Sequence, residues 1–189
     1  MLIEKSNNPS VSYADSSLCT REPLNEVMNM INYAGETINF DNCPACDYAE
    51  HKFSLPCGMA YENDKFTLSQ DWELPIEGFF VVSPKKHIEK FEELDKEEKI
   101  EIFEIVDKTI KVLRENNICD RFDVIFEEKE DRHFHIWIMP RHKWMSDLVG
   151  DIIDNVGQVF DYAKANLRTE DNFEKINKAN EVVRNAFDF

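Results

Sequence analysis

Two histidines, His133 and His135, alternate with Phe134, Ile136 and Ile138 in the run His133-Phe134-His135-Ile136-Trp137-Ile138-Met139-Pro140-Arg141. The run reads as a β-strand, in which residues two apart share a face. Both imidazoles therefore stand on one side, and the three apolar side chains on the other. Two imidazoles with an arginine just past the strand end suit a metal ligand, a nucleophile or a phosphate site better than a packed core. A neutral imidazole can attack phosphorus and split one displacement into two easier ones. It then needs a partner that fixes its tautomer and donors that stabilise the phosphoryl oxygens. Arg141 has the planar fork that binds phosphate in a bidentate way. Trp137 takes the third place on the histidine face and breaks the pattern.

The second candidate is Cys43-Pro44-Ala45-Cys46. Two intervening residues allow both thiolates to reach one zinc ion, and a closed structural site needs two more ligands. His51, His87, His133, His135 and His142 are the available imidazoles. A redox CxxC is expected to open a helix after a strand in a thioredoxin-like βαβ unit, and that context is absent. The chain has five cysteines, an odd number, which fits metal chemistry better than a disulfide framework. Cys19, Cys57 and Cys119 carry no spacing signal and read as small apolar fillers.

The elements that must hold these residues follow from periodicity and turn chemistry. Met59 to Asn63 and Lys65 to Gln70 read as short strands joined by Asn63-Asp64. Gly78 to Ser83 is a buried strand ending at Pro84, which cannot donate to a ladder, with Lys85-Lys86-His87 in the following loop. Asp95 and Glu98 have the spacing of a capping box, and Phe103, Val106, Ile110 and Leu113 mark the core face of the helix that follows. Phe122 to Phe126 is a further strand, and Glu127 to Arg132 a charged turn before the histidine strand. Leu148 to Leu167 and Phe173 to Phe187 read as helices, the first weakened by Gly150 and Gly157. One more helix is expected around Pro23 to Ile31. Paired strands around one long helix, followed by further helices, imply an α+β fold with a largely antiparallel sheet.

The net charge is −16, from 38 acidic and 22 basic residues. This opposes a long nucleic-acid partner, which needs basic surface to displace phosphate counterions, while leaving room for a small phosphorylated ligand in a local basic pocket. No window approaches the roughly 18 apolar residues of a membrane span, and the first residues lack the pattern of a secretory signal. The expectation is a cytoplasmic protein without a membrane partner.

Taken together, His133-x-His135 in an apolar strand closed by Pro140-Arg141 resembles the motif of the histidine triad (HIT) superfamily. Gly78-Phe-Phe-Val-Val-Ser-Pro84-Lys-Lys-His87 resembles the strand-Pro-Lys-x-His segment of the same superfamily, again ahead of a long helix. Cys43-x-x-Cys46 stands where zinc-binding members carry cysteines, and Tyr61-Glu-Asn-Asp-Lys-Phe66 is similar to their first hairpin. The match runs over residues 42–145, with 1–41 as an N-terminal extension and 146–189 as a C-terminal helical extension. The resemblance, to a zinc-binding HIT-like protein similar to bacterial diadenosine polyphosphate hydrolases, implies a HIT-like antiparallel sheet with one long helix on it. It implies a nucleotide hydrolase or nucleotidyltransferase acting at an α-phosphate, with a dinucleoside polyphosphate such as diadenosine tetraphosphate as a substrate. His135 would be the nucleophile that takes the nucleotidyl group. His87 and His133 would complete a structural Zn²⁺ site with Cys43 and Cys46. Asp71 falls where relatives place a carboxylate on the ribose hydroxyls, and Arg141 would contact phosphate. Relatives of this shape often form homodimers.

The chain departs from the family pattern in two places. Trp137 replaces the third histidine; its indole has one N–H donor and no acceptor, so it either stacks on a base or fills the site. The loop before the motif is Glu127-Glu128-Lys129-Glu130-Asp131-Arg132, where hydrolases carry a phosphate-holding Gly-rich loop. Its carboxylates are expected to face solvent, with Lys129 and Arg132 able to turn inward. A catalytically weak or inactive nucleotide-binding module is the alternative these departures raise.

Overall fold

The computed structural model describes residues 28–41, 43–129 and 132–189. Its centre is a five-stranded antiparallel sheet of β3 (Tyr61–Glu62), β4 (Phe66–Gln70), β5 (Phe80–Pro84), β6 (Phe122–Glu127) and β7 (His135–Pro140). The strand order is β3-β4-β5-β7-β6. This is the expected α+β architecture. β5 and β7 lie at the centre, with Val81 opposite Trp137 and Val82 opposite Ile136. β6 lies on the outer side of β7 and pairs Glu127 with His135 and Ile125 with Trp137.

The alternation in β7 divides the protein into two faces. Phe134, Ile136 and Ile138 are fully buried on one face. There they meet Phe66, Leu68, Phe80 and Val82 of neighbouring strands. The long helix α2 (Lys96–Glu115) covers this face with Ile102, Ile105, Val106, Val112 and Leu113. Its N-terminus is the expected capping box: Glu98 N–H donates to Asp95 Oδ1 at 2.7 Å, and Asp95 N–H to Glu98 Oε2 at 2.8 Å. Phe103, expected on the core face, is 46% exposed. The buried stripe is rotated toward Ile102 and Ile105, and Phe103 instead packs at the rim against Phe91 and Phe126.

The histidine face is covered only at its ends. Near one end lies α1 (Pro44–Ala49), a six-residue helix that starts directly after Cys43. Proline at the first helical position loses no bond, because that N–H would be unpaired anyway. Near the other end lie α3 (Lys143–Val149) and α4 (Val156–Asn166). The helix expected over Leu148 to Leu167 is thus two helices, and the chain breaks at Gly150, whose φ of 74° ends α3. Gly157, by contrast, is accommodated inside α4. α5 (Glu170–Ala186) starts at Thr169, whose side chain accepts from Asn172 N–H. It returns to the α2 side, where Ala179 and Val183 are buried in the main core.

The helix expected around Pro23 to Ile31 is not found where the structure describes it; residues 23–27 lie outside the described residues. Met28–Ile31 is instead β1, paired antiparallel with β2 (Thr37–Phe40). Asn32 makes the turn, its Oδ1 accepting from the Ala34 and Glu36 amides at 3.0 and 2.9 Å. Met30, Ile38 and Phe40 then join a core cluster with Tyr48 and Ile176. The first strand of the expected 59–63 hairpin shortens to Tyr61–Glu62, with Asn63 holding the turn through Lys65 and Phe66 N–H. No described helix is long and apolar enough to cross a membrane.

Gly78 leads into β5 with φ of 74°, and a Cβ there would lie 3.0 Å from Ile118 Cγ2. Both backbone strain and the clash therefore oppose any side chain. Gly78→Ala should lower stability by about 1–3 kcal/mol, read as a lower urea midpoint with unchanged slope.

Candidate metal centre and nucleotide cleft

Cys43, Cys46, His87 and His133 converge, with one ligand atom from each lying within 4.8 Å of the others. They come from three separate places. The cysteines flank the start of α1, His87 sits in the exposed loop after β5, and His133 precedes β7. Cys43 Sγ is 3.5 Å from His133 Nδ1, and Cys46 Sγ is 3.5 Å from His87 Nδ1 and 3.6 Å from His133 Nδ1. A tetrahedral zinc with ordinary Zn–S and Zn–N bonds has S···N edges of about 3.5 Å, so the donor set fits the ion in both chemistry and spacing. His133 Nε2–H donates to the Pro84 carbonyl at 2.8 Å. This holds its Nδ1 lone pair toward the sulfurs, the outer bond that a metal-bound imidazole ordinarily makes. The hydrogen bond with Cys43, burial and nearby Asp47 and Glu50 push the Cys46 thiol well above its usual range. A divalent cation reverses that balance by binding the thiolate. His51 is not part of this set: its Nε2 lies 3.2 Å from Glu62 and its side chain is 63% exposed.

His135 stands two residues on, at the first position of β7. Its Nδ1 is 3.1 Å from the His133 carbonyl oxygen, which assigns a donating N–H to that nitrogen and turns Nε2 outward. Nε2 is 2.7 Å from Glu127 Oε2. Residues directly opposite in an antiparallel pair share a face, so the β6–β7 register puts this carboxylate against the imidazole. The other Glu127 oxygen pairs with Lys129 Nζ. Burial alone would raise the Glu127 carboxyl, but the hydrogen bond and charge of His135, with help from Lys129, pull it down to about 2. The expectation that this acidic loop faces solvent is therefore corrected at Glu127, which turns inward. It holds for Glu128, whose carboxylate accepts from Phe91 N–H at 2.9 Å. Glu130 and Asp131 lie outside the described residues.

A cleft of about 820 Å³, counting the open solvent at its mouth, runs over this face. Its floor is Val81 and Ser83 of β5, His135 and Trp137 of β7, and Glu127 of β6. Cys43, Pro44 and Ala45 line one part, and Asp71, Trp72, Glu73 and Leu74 from the loop after β4 another. Phe160 and Lys164 of α4 and Arg132 complete the lining.

This arrangement can be compared with known proteins. Residues 52–144 match the HIT domain family model. An uncharacterised HIT-like protein of Methanocaldococcus jannaschii is 27% identical over 100 residues, covering 50% of this chain and 77% of that protein. A zinc-bound histidine triad family protein from Mycobacterium smegmatis superposes with a TM-score of 0.53 at 15% identity, over 76% of this chain and 91% of that one. A hypothetical histidine triad nucleotide-binding protein from Sulfolobus tokodaii gives 0.54 at 20% identity, over 77% and 92%. The chain carries a HIT domain. The structural likenesses, at these identities, speak for the fold.

Within the HIT domain, Asp71 and Trp137 reach the cleft and Arg141 does not. Asp71 Oδ1 accepts from Glu73 and Leu74 N–H at 3.0 and 2.8 Å. Burial pushes its carboxyl up to about 6, against those two amides, which lower it. Trp137 packs edge-on against Phe79 and Phe160, each at 5.7 Å between ring centroids, with His135 at 6.0 Å. Arg141 sits past the other end of β7, its Nε 3.4 Å from Asp123 Oδ2. Six residues of strand at about 3.3 Å each separate it from His135 by about 20 Å. Its motif position was legible, but strand length takes it away from His135. Arg132, Glu73, Phe160 and Lys164 enter the cleft instead. Of these, sequence signalled only Arg132. His142, Trp144 and Met145 serve packing: His142 Nε2 is 2.7 Å from the Glu77 carbonyl, Trp144 stacks on Tyr162, and Met145 is fully buried.

Two outcomes follow from this geometry. Purified protein should contain about one zinc per chain by elemental analysis, and Cys43→Ser should remove it and lower Tm by about 10 °C or more, since structural zinc binding is coupled to folding. The lowered Glu127 carboxyl stabilises the fold above its unfolded value of 4.5 and loses that contribution as pH falls toward about 2. Glu127→Gln should therefore narrow its stability gap to wild type across that acid window in paired denaturation curves.

Proposed function

We propose that the cleft binds a nucleotide and that His135 takes a nucleotidyl group from its α-phosphate, making the protein a nucleotide hydrolase or nucleotidyltransferase. The observation that carries this reading is the tether of His135 Nδ1 to the His133 carbonyl, which turns Nε2 toward the cleft that His135 lines. A nucleophilic imidazole needs this: one nitrogen held by an acceptor, the other presented to phosphorus. Glu127 takes the Nε2 proton as it moves off, and Nε2 then forms the P–N bond as the P–O bond to the leaving phosphate breaks. Water, or an acceptor phosphate in the transferase case, then attacks phosphorus and returns the electron pair to Nε2. Asp71, beside the cleft with Oδ1 held by two amides, has its second oxygen left for the ribose hydroxyls. Zinc, held by Cys43, Cys46, His87 and His133, would supply structural rigidity only. A dinucleoside polyphosphate such as diadenosine tetraphosphate is the substrate class proposed from the resemblance.

Glu127 favours a second reading, a nucleotide-binding module with little or no turnover. Its carboxylate stands 2.7 Å from the nitrogen that must attack, so it must move off before phosphorus can approach. Intact-mass measurement separates the two readings. Wild type incubated with diadenosine tetraphosphate or a nucleoside phosphoramidate should show a nucleotidyl adduct that His135→Ala lacks, with turnover down by about 10³-fold. Nucleotide binding without any adduct, in wild type and in Glu127→Gln alike, would establish the binding module instead.

A homodimer is proposed through the outer edge of the sheet. Val124 and Phe126 on β6 and Ile100 and Phe103 on α2 are exposed apolar residues, and an unpaired edge strand invites pairing. Light scattering should give a mass of two chains, reduced to one by Phe126→Asp.

A further inference from the structure

Helix α4 lies beyond the residues that match the HIT domain model, yet it builds one wall of the cleft. Val159 and Ala163 are fully buried and fix the rotation of α4 against Phe79, Met139 and Met145. Phe160 and Lys164 are four residues apart and so share a helix face, and both line the cleft. The Phe160 ring is anchored on Trp137 at 5.7 Å and Phe79 at 6.0 Å. One turn later, Lys164 Nζ lies 3.2 Å from Glu73 Oε2, with 39% of the lysine side chain exposed. A lysine ammonium has three donors, so this single contact leaves it able to take a second acceptor.

Asp71, Glu73 and Glu127 all line the cleft, and three carboxylates repel a phosphate unless cations stand among them. Among the described residues, Arg132 and Lys164 are the arginine and lysine side chains that line it; Lys129 is committed to Glu127 and does not line the cleft, and Arg141 is paired with Asp123 away from it. The geometry points to Lys164 as a contact to the phosphate chain of the bound nucleotide. It is a specificity-determining residue that selects phosphorylated over unphosphorylated nucleosides. Glu73 holds the ammonium at the cleft in the empty state and shares it when phosphate arrives. This inference rests on the nucleotide reading of the same cleft.

Calorimetric titration of the zinc-loaded full chain with AMP, and separately with adenosine, tests it. Lys164→Gln should weaken AMP by about tenfold, the loss expected for one charge-assisted hydrogen bond, while leaving adenosine within about twofold. Lys164→Arg should restore most of the AMP affinity, and Glu73→Gln should leave it intact or raise it. If Lys164→Gln changes AMP and adenosine by the same factor, or changes neither, the Lys164–Glu73 pair is structural and the inference is overturned. Wild type that binds AMP no better than adenosine also overturns it while leaving the nucleotide reading standing. Wild type that binds neither removes both.

Discussion

His133 joins three parts of the protein through three atoms, and the site depends on it. Its Nδ1 faces the Cys43 and Cys46 sulfurs, its Nε2 donates to the Pro84 carbonyl, and its own carbonyl accepts from His135 Nδ1. The first contact ties β7 to α1, the second to the end of β5, and the third sets the orientation of His135. A metal bound at one end of this chain of contacts therefore stiffens the other. The candidate metal centre lies next to His135 because one short stretch of backbone serves both.

The electrostatics of the cleft are set by sheet register more than by net charge. The β6–β7 pairing places Glu127 opposite His135, and the carboxylate accepts a hydrogen bond from Nε2 at 2.7 Å. The carboxylate is held low by that contact, and Lys129 takes its other oxygen. Any anionic ligand has to separate Glu127 from Nε2, and Lys129 remains as a partner for the displaced carboxylate. The acidity that looked like a solvated run in sequence thus reaches His135 Nε2 at one residue.

The helices after residue 146 are part of the same packing. α5 contributes Ala179 and Val183 to the main core and Ile176 to the cluster under the β1–β2 hairpin. α4 packs on Phe79, Met139 and Trp137. Trp137, which stands in place of a third histidine, has an aromatic surface that α4 covers with Phe160. The substitution in the motif and the added helix are thus two sides of one contact.

What the sequence by itself determined was whatever depends on local spacing. Alternation in residues 133–138 separated the histidine face from the core face. The CxxC spacing, Pro84 at the strand end and the Asp95–Glu98 box located the metal knuckle, β5 and the start of α2. These signals survive because period-two side-chain direction, two-residue ligand spacing and caps act over a few residues. The β1–β2 hairpin escaped this reading because its turn rests on a side-chain bond from Asn32. The break at Gly150 escaped it because a glycine inside an apolar pattern looks the same whether it ends a helix or, like Gly157, is carried within one. Only the tertiary structure decided that Glu127 meets His135, that Arg141 lies too far along β7 to do so, and that Phe160 and Lys164 wall the cleft. Each of these depends on strand register or on the docking of a helix distant in sequence, and no local spacing encodes which residues a folded chain brings face to face.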